Sequence, residues 1–365
     1  MERQSDVTLI NMPYGPLFVP SMGLGLLKAA LSRCGIGSRT YYFNLQFAAI
    51  IGEKLYLKIQ DETYPYDLVG EWTFTGALQE EVSESEVQAY VEQVLRGHGR
   101  IRPHSYASLE PYSETLIQQI VAVRQTAEAF VETCLQQVIE QQPRIVGFTS
   151  TFQQQVASLA LARRIKSLLP ETFIVFGGPN CEGVMGQEMI RQYDFIDAVV
   201  SGEADFVFPE LVQRVLAARP LTDLSGVFSR ARPASRTALP MLNELPGKPP
   251  MIEDLDVLPI PEFDEYFDEF YRQFNGNSRK PSLLFETSRG CWWGEKHHCT
   301  FCGLNGGTMT FRSKTAQRAM DELTYLTERH PGHSVNVVDN ILDMTYFKDF
   351  VPLLAERQLG LNLFY

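Results

Sequence analysis

Three of the six cysteines in this 365-residue chain fall within twelve residues: Cys291, Cys299 and Cys302, in the run SRGCWWGEKHHCTFCGLNG. The pattern is CxxxxxxxCxxC, with Phe301 just before the third cysteine and Gly303 just after it. Three thiolates on one loop can hold three irons of a [4Fe-4S] cube and leave the fourth iron open to an exogenous ligand. The same run carries His297 and His298, and either would complete a Cys3His set for zinc. The other cysteines, Cys34, Cys134 and Cys181, are far apart and sit in segments that read as ordinary core or loop. Thiols clustered in this way in a reducing compartment point to metal rather than disulfide.

A second set of residues lies where strands are expected to end. FGGPN places Gly177 and Gly178 in a turn that lets a large flat ligand approach the backbone closely. GFTST puts Ser150 and Thr151, and SGEAD puts Gly202 and Glu203, at strand ends on what should be the same sheet edge. Taken as residues alone, these turns suit a large flat ligand, a flavin or a nucleotide among them, or a scaffold that binds nothing. Pro13, Tyr14, Ser21 and Gly23 follow the first strand and either line the same crevice or shape the turn.

The elements that must position these residues are legible as an α/β pattern. VTLINM reads as a strand, SMGLGLLKAALSRCG as a helix with Ser21 as N-cap and Gly35 as stop, and SRTYYFNLQF as a second strand. Residues of about 50–142 break that rhythm with long segments apolar at three-to-four spacing, which predicts a helical insertion. Strands and helices then alternate from RIVGFTST to FPELVQRVLAA, the signature of a doubly wound parallel sheet. Residues 1–218 form this first domain. Nine prolines between Pro220 and Pro281 predict an extended linker over 219–282. A second α/β unit runs over 283–365, with the cysteine loop after the strand SLLFE, where α/β folds place their ligands. Two helices and three strands do not close a barrel, so this unit reads as the first part of one, cut short.

Charge narrows the partners. Lys and Arg number 32 against 44 Asp and Glu, a formal charge of -12, and no stretch is basic enough to grip a phosphate backbone, which argues against a nucleic-acid partner. No apolar run reaches the ~18 residues that span a bilayer, and the N-terminus lacks a signal-peptide profile, so no membrane association and a cytoplasmic location are expected.

The cysteine motif resembles that of the radical S-adenosylmethionine (SAM) superfamily, in which an aromatic residue precedes the third cysteine. The first spacing there is usually three residues. The longer spacing here, followed by MTFRSKT, is similar to that of cobalamin-dependent radical SAM proteins that mature ribosomally synthesised peptides (the RiPP class). The resemblance implies a Rossmann-like cobalamin-binding domain with a helical insertion, followed by part of a radical SAM (β/α) barrel. It implies that Cys291, Cys299 and Cys302 ligate a [4Fe-4S] cluster whose open iron binds SAM, and that SAM is cleaved to a 5'-deoxyadenosyl radical. Asp339 and Asn340, in VVDN, stand where the superfamily carries a glycine-rich SAM motif, without matching it. Arg289 and Arg312 flank the cluster loop, where they would balance charge or form surface ion pairs.

Ser150, Thr151, Gly177, Gly178, Gly202 and Glu203 match the cobalamin-binding turns residue by residue. The DxHxxG loop of methionine-synthase-like domains has no counterpart here, so cobalamin would bind without a histidine ligand. The implied activity is C-methylation of a peptide, with a reducing electron donor as second partner. Radical tailoring of a peptide without methylation, and a zinc-stapled binding or regulatory protein, are the alternatives.

Overall fold

The computed structural model describes residues 5–79, 82–97, 111–230, 251–274, 276, 279–300, 302–303, 309–361 and 363–364. The chain divides into two compact units, Met1–Gly15 with Gly35–Pro249, and Pro16–Cys34 with Pro250–Tyr365.

The first unit is built on six strands: β1 (Val7–Asn11), β2 (Ser38–Tyr42), β3 (Ile145–Thr149), β4 (Phe173–Gly177), β5 (Ala198–Val200) and β6 (Val227–Ser229). Their order is β2-β1-β3-β4-β5-β6, parallel throughout except for β6, which runs antiparallel to β5. This is the doubly wound sheet expected, in the flavodoxin-like order, where ligands bind beyond the carboxyl ends of the strands. All five residues of β1 are buried, as a strand covered on both faces requires.

Two elements of this unit differ from expectation. The segment read as a long second strand ends at Tyr42, and Phe43–Ile51 is a helix. Its aromatic residues do not extend the sheet. Phe43 and Phe47, one helical turn apart, join a ring cluster in which Phe47 meets Phe74 at 5.1 Å and Phe130 at 4.7 Å. Phe74 and Phe130 come from the helices Val69–Leu78 and Glu114–Ile139 of the insertion, so this block has a core shared with the start of the sheet. Strand β6 is the second difference, since its residues lie inside the expected linker.

The second unit holds three parallel strands, β7 (Leu283–Phe285), β10 (Val335–Val337) and β11 (Leu363–Phe364), in the order β11-β10-β7. The helices Ala316–Arg329 and Phe350–Arg357 connect them, which gives the strand–helix alternation of an opening barrel. A short antiparallel ribbon, β8 (Ser288–Arg289) with β9 (Arg312–Ser313), brackets the cysteine loop.

The proline-rich stretch also holds the helix Asp264–Phe274, which buries Tyr266, Phe267 and Phe270 in this unit. The helix Met22–Arg33, capped by Ser21 as expected, groups here as well. Tyr266 donates to the Leu17 carbonyl at 2.6 Å, and a Cβ on Gly25 would fall 2.6 Å from the Phe263 ring. Among the described residues no helix is long and apolar enough to cross a membrane.

Candidate cofactor sites

In the first unit the parallel register aligns Thr149 with Gly177, which brings the turns after β3 and β4 side by side. Ser150 N–H donates to the Gly177 carbonyl at 2.8 Å, and Asn180 N–H donates to the Ser150 carbonyl at 3.2 Å. Gly178 has φ +97°, and a Cβ there would fall 2.7 Å from the Ser150 carbonyl oxygen. Both facts demand glycine. The β5 turn is tied in through Ser201, whose hydroxyl accepts from Gly183 N–H at 2.9 Å, so Gly202 and Glu203 follow on the same edge.

Exposure then separates the six residues. Ser150 is fully buried, and its hydroxyl donates to Gln155 Oε1 (2.9 Å) while accepting from Asn180 Nδ2 (3.0 Å). It holds the turns together and presents no free group to a ligand. Thr151, Gly177, Gly178 and Glu203 are half-buried, and Gly202 is exposed. Just beyond the turns, Phe152, Val184, Met185 and Phe206 stand 50–74% exposed, an apolar rim on the carboxyl edge of the sheet.

Three side chains missed by sequence reasoning build the floor of this edge. Glu71, in the helix Val69–Leu78, accepts from the N–H groups of Gln155 (3.0 Å) and Val156 (2.7 Å) at the start of the helix Gln155–Leu168. Burial pushes its carboxyl above the usual range, while those two N–H groups pull it back. Gln154 Oε1 accepts from Thr151 N–H (3.1 Å) and hydroxyl (2.6 Å), and its amide donates to Asn11 Oδ1 at 2.7 Å. Gln153, at φ +63°, accepts from Gly70 N–H at 2.6 Å.

The helix start that would cradle a phosphate is therefore filled by a carboxylate of the chain itself, which disfavours a nucleotide or flavin docked there. The signal in the sequence is the polar run Gln153–Gln155 directly after a strand. Tyr14 belongs to the aromatic core, with its hydroxyl 3.0 Å from Thr73 Oγ1, and Ser21 and Gly23 lie in the second unit.

In the second unit the cysteine loop leaves β7 and the ribbon strand β8. Gly290, at φ +83°, fits where a Cβ would fall 2.1 Å from the Thr310 carbonyl oxygen. Cys291 caps the short helix Trp292–Lys296, its sulfur accepting from Gly294 N–H at 3.2 Å. Cys299 and Cys302 share a turn closed by a 3.0 Å bond from Cys302 N–H to the Cys299 carbonyl. None of the three is in a disulfide, and all three are half-buried.

Among the described residues, no group of three His, Cys, Asp or Glu side chains is gathered to hold a metal ion. The same holds for the Cys3His zinc set; His297 and His298 are exposed, with the His297 ring 5.3 Å from that of Trp293. Phe301 lies outside the described residues.

Asp339 and Asn340 sit at the carboxyl end of β10, and both reach the segment leading into the cysteine loop. The Asp339 carboxylate accepts from the Thr287 N–H at 2.8 Å and from the Thr287 hydroxyl, and Asn340 Nδ2 donates to the Gly290 carbonyl at 3.3 Å. Burial pushes the Asp339 carboxyl up to about 6, against the hydrogen bonds from Thr287 and Ser288. Arg289 pairs with Glu286 at 2.9 Å, and Arg312 donates to the Ile252 carbonyl at 2.7 Å.

No family model matches the chain. Among curated proteins, an uncharacterized methyltransferase of Pyrococcus horikoshii is 27% identical over 205 residues, which are 56% of this chain and 41% of that protein. The anaerobic magnesium-protoporphyrin IX monomethyl ester cyclase of Synechocystis is 24% identical over 54% of this chain and 37% of its own length. The hopanoid C-3 methylase of Methylococcus capsulatus is 27% identical over 50% of this chain and 31% of its own. The chain thus matches about two fifths or less of these relatives.

Among solved structures, the cobalamin-dependent SAM radical enzyme OxsB, with aqua-cobalamin and SAM bound, superposes with a TM-score of 0.60 at 12% identity. That match covers 98% of this chain and 38% of OxsB. The radical SAM methyltransferase TsrM of Kitasatospora setae, with cobalamin and a [4Fe-4S] cluster bound, gives 0.52 at 13% identity over 98% of this chain and 52% of TsrM. The likeness is one of fold.

Proposed function

We propose that this chain is the cobalamin- and SAM-binding part of a cobalamin-dependent radical SAM methyltransferase. The observation that carries the proposal is the trio of half-buried cysteines, none in a disulfide, in CxxxxxxxCxxC spacing on the loop that leaves the first strand of the barrel-like unit. The donor set, three thiols on one loop, fits a [4Fe-4S] cluster with one open iron. The first unit fits a corrinoid through its glycine turns, its apolar rim and a helix start already occupied by Glu71. The fold it shares with OxsB and TsrM, whose structures hold cobalamin, supports the same reading.

When bound, these groups supply a carbon-centred radical and a methyl donor. The chain's own part is positional. Gly177 and Gly178 admit a flat ligand to the backbone, Phe152 and Phe206 offer it an apolar edge, and Cys291 starts from a capped, hydrogen-bonded position. Asp339 and Asn340 act on the loop through Thr287 and Gly290, a positioning role in place of SAM contact. A ribosomally synthesised peptide is the substrate we propose, on the resemblance of the cysteine motif, with a reducing electron donor as partner. A cytoplasmic setting would keep the thiols reduced.

Anaerobic reconstitution with iron, sulfide and aquocobalamin tests the reading. Close to four irons and one corrinoid per chain support it, whereas tightly held zinc with no iron uptake rejects it. Methyl-labelled SAM with the peptide then reads the reaction. Label in the peptide, formed together with 5'-deoxyadenosine and S-adenosylhomocysteine, supports methylation; deoxyadenosine with unlabelled peptide favours radical tailoring without it.

A further inference from the structure

A lysine with no solvent exposure stands against the end of β7. The side chain of Lys314 and that of Glu322, its partner, are both 0% exposed. The three protons of the ammonium are matched by three acceptors: the Glu286 carbonyl at 2.7 Å and the two carboxylate oxygens of Glu322 at 2.9 and 2.8 Å. Arg318 completes the carboxylate from the same helix at 2.8 Å. The backbone of Lys314 is engaged too, with its N–H on the Thr287 carbonyl (2.8 Å) and its own carbonyl accepting from the Tyr346 hydroxyl (2.7 Å).

Burying such an ion pair is costly, and a well-packed apolar pair of similar volume often serves stability as well or better. An apolar pair cannot donate to the Glu286 carbonyl. That carbonyl marks the point where the chain leaves β7 for the loop carrying Cys291. The next groups along the loop are held in turn, Thr287 by Asp339, Gly290 by Asn340, and the Trp292 indole N–H by the Leu342 carbonyl at 2.9 Å.

We infer that Lys314 is a positioning residue for Cys291: with Asp339 and Asn340 it sets the first cluster thiol in place before metal arrives. The inference rests on the reading of Cys291 as a cluster ligand.

The test compares the unreconstituted wild-type chain with the double variant Lys314→Met/Glu322→Leu, which removes both buried charges together. Alkylation by iodoacetamide, read residue by residue by mass spectrometry, should speed up about tenfold at Cys291 relative to exposed Cys34. Amide hydrogen exchange should rise over 286–292 and stay unchanged in the helix Ala316–Arg329. An unchanged Cys291 rate overturns the inference, and so does exchange that rises equally across the whole unit, since that marks a merely structural lysine. After reconstitution, the variant should bind less iron than wild type and give an altered electron paramagnetic resonance spectrum of the reduced cluster. Failure of the wild type to take up iron would reject the cluster reading, while the alkylation and exchange data would still decide whether Lys314 holds the loop.

Discussion

Cys291 is held between the Gly294 amide on its sulfur and the Met309 carbonyl that accepts from its own N–H at 3.1 Å. Replacing Cys291, Cys299 or Cys302 singly with Ala should abolish stable iron-sulfur absorbance after reconstitution; iron content equal to wild type in all three would reject the ligand assignment. Asp339 gives a second expectation, through pH. Its carboxyl is raised from 3.8 to about 6 by burial, so the folded chain binds this proton more tightly than the unfolded one. The contribution to stability is fully present below pH ~3.8 and is lost as pH rises through about 6. Asp339→Asn should therefore lose stability relative to wild type as pH is lowered from 7 to 4, measured as the difference in melting temperature; a pH-independent difference would contradict the shift. At this scale the sequence showed the cysteines plainly, because their types and spacing carry the chemistry. Lys314 was hidden, since a lysine after a short ribbon reads as surface and its burial depends on Glu322 and Tyr346 arriving from other elements.

Helices and turns give expectations of their own. Glu71 completes the start of the helix Gln155–Leu168, and Glu71→Ala should cost about 0.5–2 kcal/mol, the range for losing an N-terminal cap, in chemical denaturation. No loss would mean that water replaces the carboxylate without penalty. Along the carboxyl edge of the first sheet, Gly178→Ala forces a Cβ against the Ser150 carbonyl, and Phe152→Asp puts charge on the apolar rim. Both should lower corrinoid retained after gel filtration while leaving iron content unchanged, and retention equal to wild type would move the corrinoid elsewhere. The strand-helix alternation from Ile145 onward was readable because parallel strands are continuous apolar runs. The helix Asp264–Phe274 was obscured by the prolines around it, although Tyr266, Phe267 and Phe270 carry the spacing of an amphipathic helix. Phe43–Ile51 went the other way: its aromatic residues favour strand locally, and packing against Phe74 and Phe130 decides for helix.

Each compact unit of the molecule has a buried core of its own, so ligands specific to one should stabilise that one. Aquocobalamin in excess should raise the temperature at which the buried thiols of Cys134 and Cys181 become reactive, with a smaller effect on Cys291. Equal protection of all three would show that the two units unfold together. The alternation of elements made both α/β units legible, whereas the grouping of residues 16–34 with the second unit rests on long-range packing such as Tyr266 on Leu17, which no local pattern encodes. The cap on the helix Gln155–Leu168 also has a consequence during synthesis. Glu71 leaves the ribosome 84 residues ahead of the Gln155 amide it serves. At ~5–20 residues per second that is roughly 4–17 s, during which a carboxylate meant for burial has no partner. The insertion cannot complete this contact until β3 and the helix after it emerge, and that waiting period is when a nascent chain of this protein would most need a chaperone.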